Sequence, residues 1–483
     1  MKVRRIAAVG LACGLAVTLL TGCEENTTLN RPSAPVVLTG AQIAGFKGVA
    51  PGKVVAFRHS ISGSTGTWTQ IPVQVDQRKV VPFGAYPGSN TTAGVVGTVY
   101  GNGSGGPTAL QYADPNTFVG ADSDPNVDAD DEIVFMASDA GGIPAGDDAP
   151  RPAGVVAGSG IRIGLTDPRN TNERGYVYLF RASGSLDPSA GKDYVNYQFA
   201  LTSGAYKTTY KRADGPNPET SKVTTATYEI QFTDRWMEVS WKVLASGASK
   251  ADILDGHKNQ FATSTCGRSN ATFADAEGAF VANIDGPVRA IRSYVGANSG
   301  PLTQRTHIMY RDREDVITNL RVHAIPSIMD YLDYSSAAVG MTYRSSTAPN
   351  GVAIDGAADS ISTALPTWEA VDGPQGRVYT RYKVSATQSS LAGGTTQFYR
   401  DQTTATDPQC WGDASLYGAS GSYVQTPIDN SDPRSSPFAT LTGVRTNQFL
   451  PPAPDKTKVA EYAADWAADV DQPLTVGVAT YAG

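Results

Sequence analysis

The chain is short of the residues that most enzyme chemistries need. Of its 483 residues only four are cysteine and four are histidine. No two cysteines stand at C-x-x-C spacing, which removes a thiolate zinc site and a haem-attachment motif. The histidines, His59, His257, His307 and His323, form neither H-E-x-x-H nor H-x-H, so a zinc hydrolase would have to recruit its ligands from separate segments. A G-x-S-x-G nucleophile elbow is also missing. The glycine-rich run Gly101 to Gly106 leads into Pro107 and not into a helix, which makes it a turn and not a phosphate cradle. Basic charge is in deficit, 39 Lys and Arg against 46 Asp and Glu, which argues against nucleic acid and against electrostatic docking on anionic lipid.

What the N-terminus does hold is a charged n-region, Lys2, Arg4 and Arg5, followed by uncharged Ile6 to Leu20. A membrane-spanning helix needs about 20 apolar residues, so this run reads as the h-region of an export signal. The next residues, Leu20, Thr21, Gly22 and Cys23, are similar to a bacterial lipobox, which predicts cleavage before Cys23 and acylation of its thiol; the alternative is an ordinary secretory leader. The expectation is therefore a signal peptide over 1–22, a polar tether over 23–36 and a lipid anchor on the extracytoplasmic side of a bacterial membrane. Losing the leader takes the net charge from −7 to −10. Cys266 and Cys410 are then the remaining thiols, either joined in a disulfide by an oxidising compartment or buried and free.

Fifty glycines, 30 prolines and 22 tyrosines favour strands and turns. Short runs bounded by Gly, Pro, Asp, Asn or Ser read as strands at residues 53–59, 67–76, 161–166, 176–181, 224–232, 237–244, 279–284, 288–295, 305–311, 316–325, 339–344 and 378–385. Residues 457–470, with Val459, Tyr462, Ala463 and Trp466 at helical spacing, read as one C-terminal helix. The predicted class is all-β, built of large antiparallel sandwiches. A linker-like composition near Pro150 suggests an N-terminal module over 37–150 and a larger one over 151–483. Residues 84–131 and 404–450 exceed ordinary loop lengths, which marks them as functional or disordered.

Two clusters carry chemistry. Asp122, Asp124, Asp128, Asp130, Asp131 and Glu132 crowd carboxylates that would repel unless neutralised, and such hard oxygen ligands suit calcium. The run is no EF-hand, because its sixth and twelfth positions are Val127 and Ile133; a solvated acidic turn is the alternative. The second cluster lies between Gly286 and Tyr334. A hairpin turning at Arg313 and Glu314 would set Tyr310 opposite Ile317, Thr306 opposite Arg321 and Gln304 opposite His323. Tyr310, Arg321 and His323 would then share a sheet face, with His307 on the other. Arginine beside a carboxylate, with tyrosine or histidine moving the α proton, is the machinery of a polysaccharide lyase; a satisfied polar sheet face is the alternative.

The segments Ile71-Pro72-Val73-Gln74-Val75-Asp76, Asp128-Ala129-Asp130-Asp131-Glu132-Ile133-Val134-Phe135 and Gly286-Pro287-Val288-Arg289 give the chain a resemblance to a family of secreted β-rich proteins. Some of that family look related to β-sandwich proteins associated with glycan breakdown. The resemblance covers the first third and the central strands, implies a glycan context and assigns no reaction or residue role. Two functions stay open: a lipid-anchored protein that binds or degrades extracellular glycan, or a non-catalytic surface binding or scaffold module with a structural calcium loop.

Overall fold

Strands that meet water on one face keep an alternating pattern, as in Ser221–Thr225 and Tyr228–Phe232, where every second side chain is buried. Gln304–Met309 and Ile328–Tyr334 are covered on both faces, and all their side chains are buried. Layers of this second kind must bury whatever the sequence supplies, polar or not. That condition positions the sites described below. The computed structural model describes residues 27–63, 65–82, 108–117, 119–144, 150–203, 219–233, 237–261, 278–296, 304–321, 326–387, 393–404, 415–427 and 440–483.

Among the described residues the chain forms antiparallel sheets packed as sandwiches, with one α-helix near the C-terminus. A three-stranded sheet runs Pro35–Thr39, Glu132–Met136, Gln74–Asp76. It packs on a five-stranded sheet ordered Thr475–Tyr481, Gly160–Asp167, Asn170–Arg181, Val54–Ser62, Thr65–Ile71. Leu38, Ile133 and Phe135 meet Val54, Ile163, Val177 and Leu179 in that core. Each such side chain, fully buried, stabilises the fold by about 1.5–3 kcal/mol.

The largest sheet has nine described strands, in the order Gly278–Ile284, Ala290–Gly296, Gln304–Met309, Arg313–Arg321, Thr440–Leu450, Gly376–Ala386, Glu369–Gly373, Thr342–Ser345, Ala348–Ala353. Two four-stranded sheets accompany it. One runs from Val195–Gln198 through Ser221–Thr225 and Tyr228–Phe232 to Glu238–Val243. The other is ordered Leu254–Phe261, Ile328–Tyr334, Leu416–Val424, Thr395–Gln402. Side chains from all three fill one core, in which Phe449 stacks on Tyr228 at 4.4 Å and meets Trp241 edge-on at 5.1 Å.

The helix spans Val459–Asp471, close to the expected limits, and buries Val459, Ala463 and Ala467 against Trp368, Ala370 and Tyr379. Asp455 caps the turn before it by accepting the Thr457 amide at 3.0 Å. Arg31 Nη1 donates to the Gln472 carbonyl at 2.7 Å just past its end, and Thr475–Tyr481 then joins the N-terminal five-stranded sheet.

Three expectations need correcting. The boundary near Pro150 does not divide the sheets, because Asn170–Arg181 pairs with Val54–Phe57, and the chain's last strand pairs with Gly160–Asp167. Residues 404–450 include two strands, Leu416–Val424 and Thr440–Leu450; their polar composition reflects buried hydrogen bonding and not a loop. The hairpin turns two residues earlier than expected, at Arg311 and Asp312, with the Tyr310 amide donating to the Arg313 carbonyl at 2.7 Å. Gln304 therefore lies opposite Asn319, and Thr306 opposite Ile317. The turn is pinned from outside: Tyr228 Oη donates to the Tyr310 carbonyl at 2.7 Å, and Thr227 Oγ1 to that of Arg311 at 2.6 Å. Shifting pair partners by an even number leaves the faces as expected.

Candidate functional site

The three segments that carry the family resemblance meet at one buried joint. Glu132–Met136 pairs with Gln74–Asp76, which places Glu132 directly opposite Asp76. Arg289 enters between them, donating from Nε to Asp76 Oδ2 at 2.9 Å and from Nη2 to Glu132 Oε2 at 2.5 Å. Gln74 Oε1 accepts the backbone amides of Val288 and Arg289 at 3.2 and 3.0 Å, while its Nε2 donates to Asp76 Oδ1 at 2.7 Å. A Cβ on Gly286 would lie 2.3 Å from the Gln74 amide, so any larger residue would push that amide out of these bonds. These segments thus bolt the three-stranded sheet to the nine-stranded one. Burial would push the Glu132 carboxyl up, but Arg289 and Arg78 more than offset this and hold it below the usual range.

Beside this joint lies a cleft of about 350 Å³, between the hairpin of Arg78–Pro82 with Thr108–Tyr112 and the face of the nine-stranded sheet. Its lining includes Gln111, Gln304, Thr306, Asn319 and Thr442, with Arg78 and Tyr112 toward the joint. The polar groups are tightly arranged. Gln111 and Gln304 exchange amide hydrogen bonds at 3.1 and 2.7 Å, and Thr442 Oγ1 donates to Asn319 Oδ1 at 2.9 Å. Tyr112 Oη donates to Glu132 Oε2 at 2.9 Å, and Arg78 Nη1 reaches Glu132 Oε1 at 2.7 Å. Amides and hydroxyls set among Leu110, Ile308, Ile317 and Leu320, and braced by an ion-paired layer, can recognise a hydroxyl-rich ligand through several fixed donors and acceptors.

The expected proton-transfer face is this same face. Tyr310, however, is 2% exposed, with its hydroxyl accepting from Arg289 Nη1 at 3.3 Å and raised by burial above a free phenol's range. Tyr310 therefore belongs to the joint and not to the cleft lining. Arg321 ends its strand opposite Thr440, and its side chain, like His323, lies outside the described residues. Cys23, Cys266 and Cys410 also lie outside them.

The acidic run shapes the opposite wall of the hairpin. Its backbone is clamped to the N-terminal segment, with the Gly40, Ala41 and Gly48 amides donating to the carbonyls of Asp131, Ala129 and Val127. Asp131 Oδ1 accepts the Arg78 amide at 2.8 Å, and Gln77 Nε2 donates to the Asp124 carbonyl at 3.1 Å. Asp122, Asp124 and Asp128 each accept the amide two residues on, at 3.0–3.1 Å. Glu132 turns inward to the two arginines. The Asp128 and Asp130 carboxyls share a hydrogen bond, which holds Asp128 down and, with burial and the facing charge, pushes Asp130 up to about 6.

On the face of the Gln304–Met309 and Arg313–Arg321 strands turned away from the cleft, His307 and Glu314 meet Glu238; one ligand atom of each lies within 4.8 Å of the others, and this buried group could hold a metal ion. His307 Nδ1 lies 3.0 Å from both Glu238 Oε1 and Glu314 Oε1. Burial would lower the His307 pKa, but the two carboxylates raise it; burial and Glu238 push Glu314 up to about 7. Next to it Asp330 binds Arg445 Nη2 at 2.6 Å, Arg305 Nη2 at 3.1 Å and His257 Nε2 at 3.0 Å. Sequence reasoning placed His307 off the cleft face but missed this cluster, because Glu238, His257 and Glu314 are far apart in the chain. The available signal was a strand with polar residues at adjoining positions, His257-Lys258-Asn259-Gln260, which no one-sided strand carries. No protein-family model matches the chain, and no curated protein matches it.

Proposed function

We propose that the chain is an extracytoplasmic, lipid-anchored protein that binds polysaccharide in the cleft between the Thr108–Tyr112 hairpin and the nine-stranded sheet. The observation that carries this reading is the lining itself: fixed amides and hydroxyls from Gln111, Gln304, Thr306, Asn319 and Thr442, with Arg78 at one end to meet a uronate carboxylate. Binding is favoured over lyase cleavage because the Tyr310 hydroxyl is engaged by Arg289 inside the protein. Titration calorimetry with neutral and uronate oligosaccharides tests it. Asn319→Ala should weaken binding about five- to tenfold, as expected for one lost hydrogen bond to the ligand, with a melting temperature lowered only slightly by loss of the Thr442 bond. Equal affinity in wild type and variant would sink the reading.

Calcium belongs to the same reading. The proton-sharing Asp128 and Asp130 would be relieved by a cation, and the loop that holds them also holds Arg78, so calcium would stiffen one cleft wall. The same titration in excess EGTA should lose affinity, and no change with EGTA would remove calcium. The lipid anchor rests on Cys23 and its preceding residues. Cys23→Ala should move the protein from the membrane fraction to the soluble one, and an unchanged distribution would contradict the anchor.

A further inference from the structure

We propose that Glu238, His307 and Glu314, flanked by His257, form a structural site for a divalent transition-metal ion of the zinc, manganese or iron class, which staples a four-stranded sheet to the nine-stranded one. The site is separate from the cleft and does not depend on what the cleft binds.

Both carboxylates are gripped by their outer oxygens: Trp241 Nε1 donates to Glu238 Oε2, and Asn447 Nδ2 to Glu314 Oε2 at 3.1 Å. Their inner Oε1 atoms are thereby turned toward His307 Nδ1. Outer-atom donors that aim the inner atoms at a common point are the usual support of a metal site.

His257 flanks the three ligands. Its Nε2 meets Asp330 Oδ1 at 3.0 Å, and Asp330 is held in place by Arg305 at 3.1 Å and Arg445 at 2.6 Å. The Asp330 contact orients the ring and turns Nδ1 toward Glu238. This atom has no hydrogen-bond partner among the described residues and lies 3.7 Å from Glu238 Oε1. His257 is 1% exposed, so bulk solvent does not reach the ring. A cation beside Glu238 Oε1 would give these buried polar atoms a partner.

Distances and donor types fix the class of ion. Ligand atoms about 2.0–2.2 Å from a tetrahedral ion sit roughly 3.3–3.6 Å apart. His307 Nδ1 lies 3.0 Å from each carboxylate, close to that range, and the three ligand atoms lie within 4.8 Å of one another. An imidazole with two carboxylates suits zinc, manganese or iron, whereas calcium requires six to eight oxygens. Glu238 comes from one four-stranded sheet, His257 from the other, and His307 and Glu314 from the nine-stranded sheet. An ion here contributes to folding directly, because the unfolded chain holds no such site.

The test is metal content and melting temperature of the full-length protein after refolding with excess zinc, manganese or ferrous ion, followed by desalting. We expect one equivalent of metal per chain and a melting temperature above that of protein refolded with a strong chelator. Glu314→Gln should lose the equivalent, while Asp128→Asn with Asp130→Asn keeps it and so excludes the acidic loop. Cobalt loading should give the visible absorption of a tetrahedral nitrogen and oxygen site. Wild-type protein that refolds without bound metal, or melts identically with and without chelator, overturns the proposal whether or not the variant folds.

Discussion

Replacing Arg289 with methionine is expected to cost about 3–5 kcal/mol of folding stability, measured by urea denaturation. The guanidinium is 1% exposed and compensates two buried carboxylates, Asp76 and Glu132, at 2.7 and 2.5 Å. Methionine fills the space but leaves those charges facing each other across the paired strands, and Tyr310 Oη loses the Arg289 Nη1 contact. The pH dependence follows from Glu132. Its folded pKa lies below the unfolded value, so its stabilisation is complete above roughly pH 4.5 and is lost as pH falls through the folded pKa. Glu132→Gln should therefore flatten the acid side of the stability curve. An Arg289→Met protein as stable as wild type would show that the joint does not hold the sheets.

Glu219 and Arg292 give the second large effect. Arg292 Nη1 and Nη2 bond Glu219 at 2.8 and 2.6 Å, and its guanidinium lies 4.2 Å from the Phe232 ring centre. Burial would lower the Arg292 pKa, but Glu219 raises it above the ordinary value, so the guanidinium remains charged. Glu219→Ala leaves that buried cation without its carboxylate and should cost about 3–5 kcal/mol. Glu219→Leu combined with Arg292→Met should recover most of the loss, since two apolar groups of similar volume carry no desolvation cost. A double variant as unstable as the single one would mean that packing, and not charge, dominates at this position.

Strands rich in apolar residues were legible in the sequence. Ile161–Thr166, Tyr176–Arg181 and Val378–Ser385 all lie within observed strands: alternation marks the first, while Val177–Phe180 is an apolar run buried on both faces. Leu254–Phe261 and Thr440–Leu450 were not legible, and the physical reason is common to both. His257, Lys258, Asn259 and Gln260 in one strand, and Arg445, Asn447 and Gln448 in the other, are buried with polar partners, so hydrophobic periodicity vanishes where burial is deepest. The hairpin's faces were readable from parity alone, but its turn was not, since Thr227 and Tyr228 set it from another sheet.

The joint was visible as three motifs and invisible as a structure. Gln74, Asp76, Glu132, Gly286 and Arg289 stood out as signature residues, yet nothing in their spacing says that they touch. Their convergence accounts for the motifs by packing and charge. It also separates Tyr310 from any surface chemistry and leaves the neighbouring cleft as the place where a ligand can be met.

The most direct test of the central claim is a crystal structure of the protein soaked with the tightest-binding oligosaccharide. Sugar density between Tyr112 and Asn319, with hydroxyls on the amides of Gln111 and Asn319, is the expected result. Density on any other surface, with the cleft holding solvent alone, would contradict it.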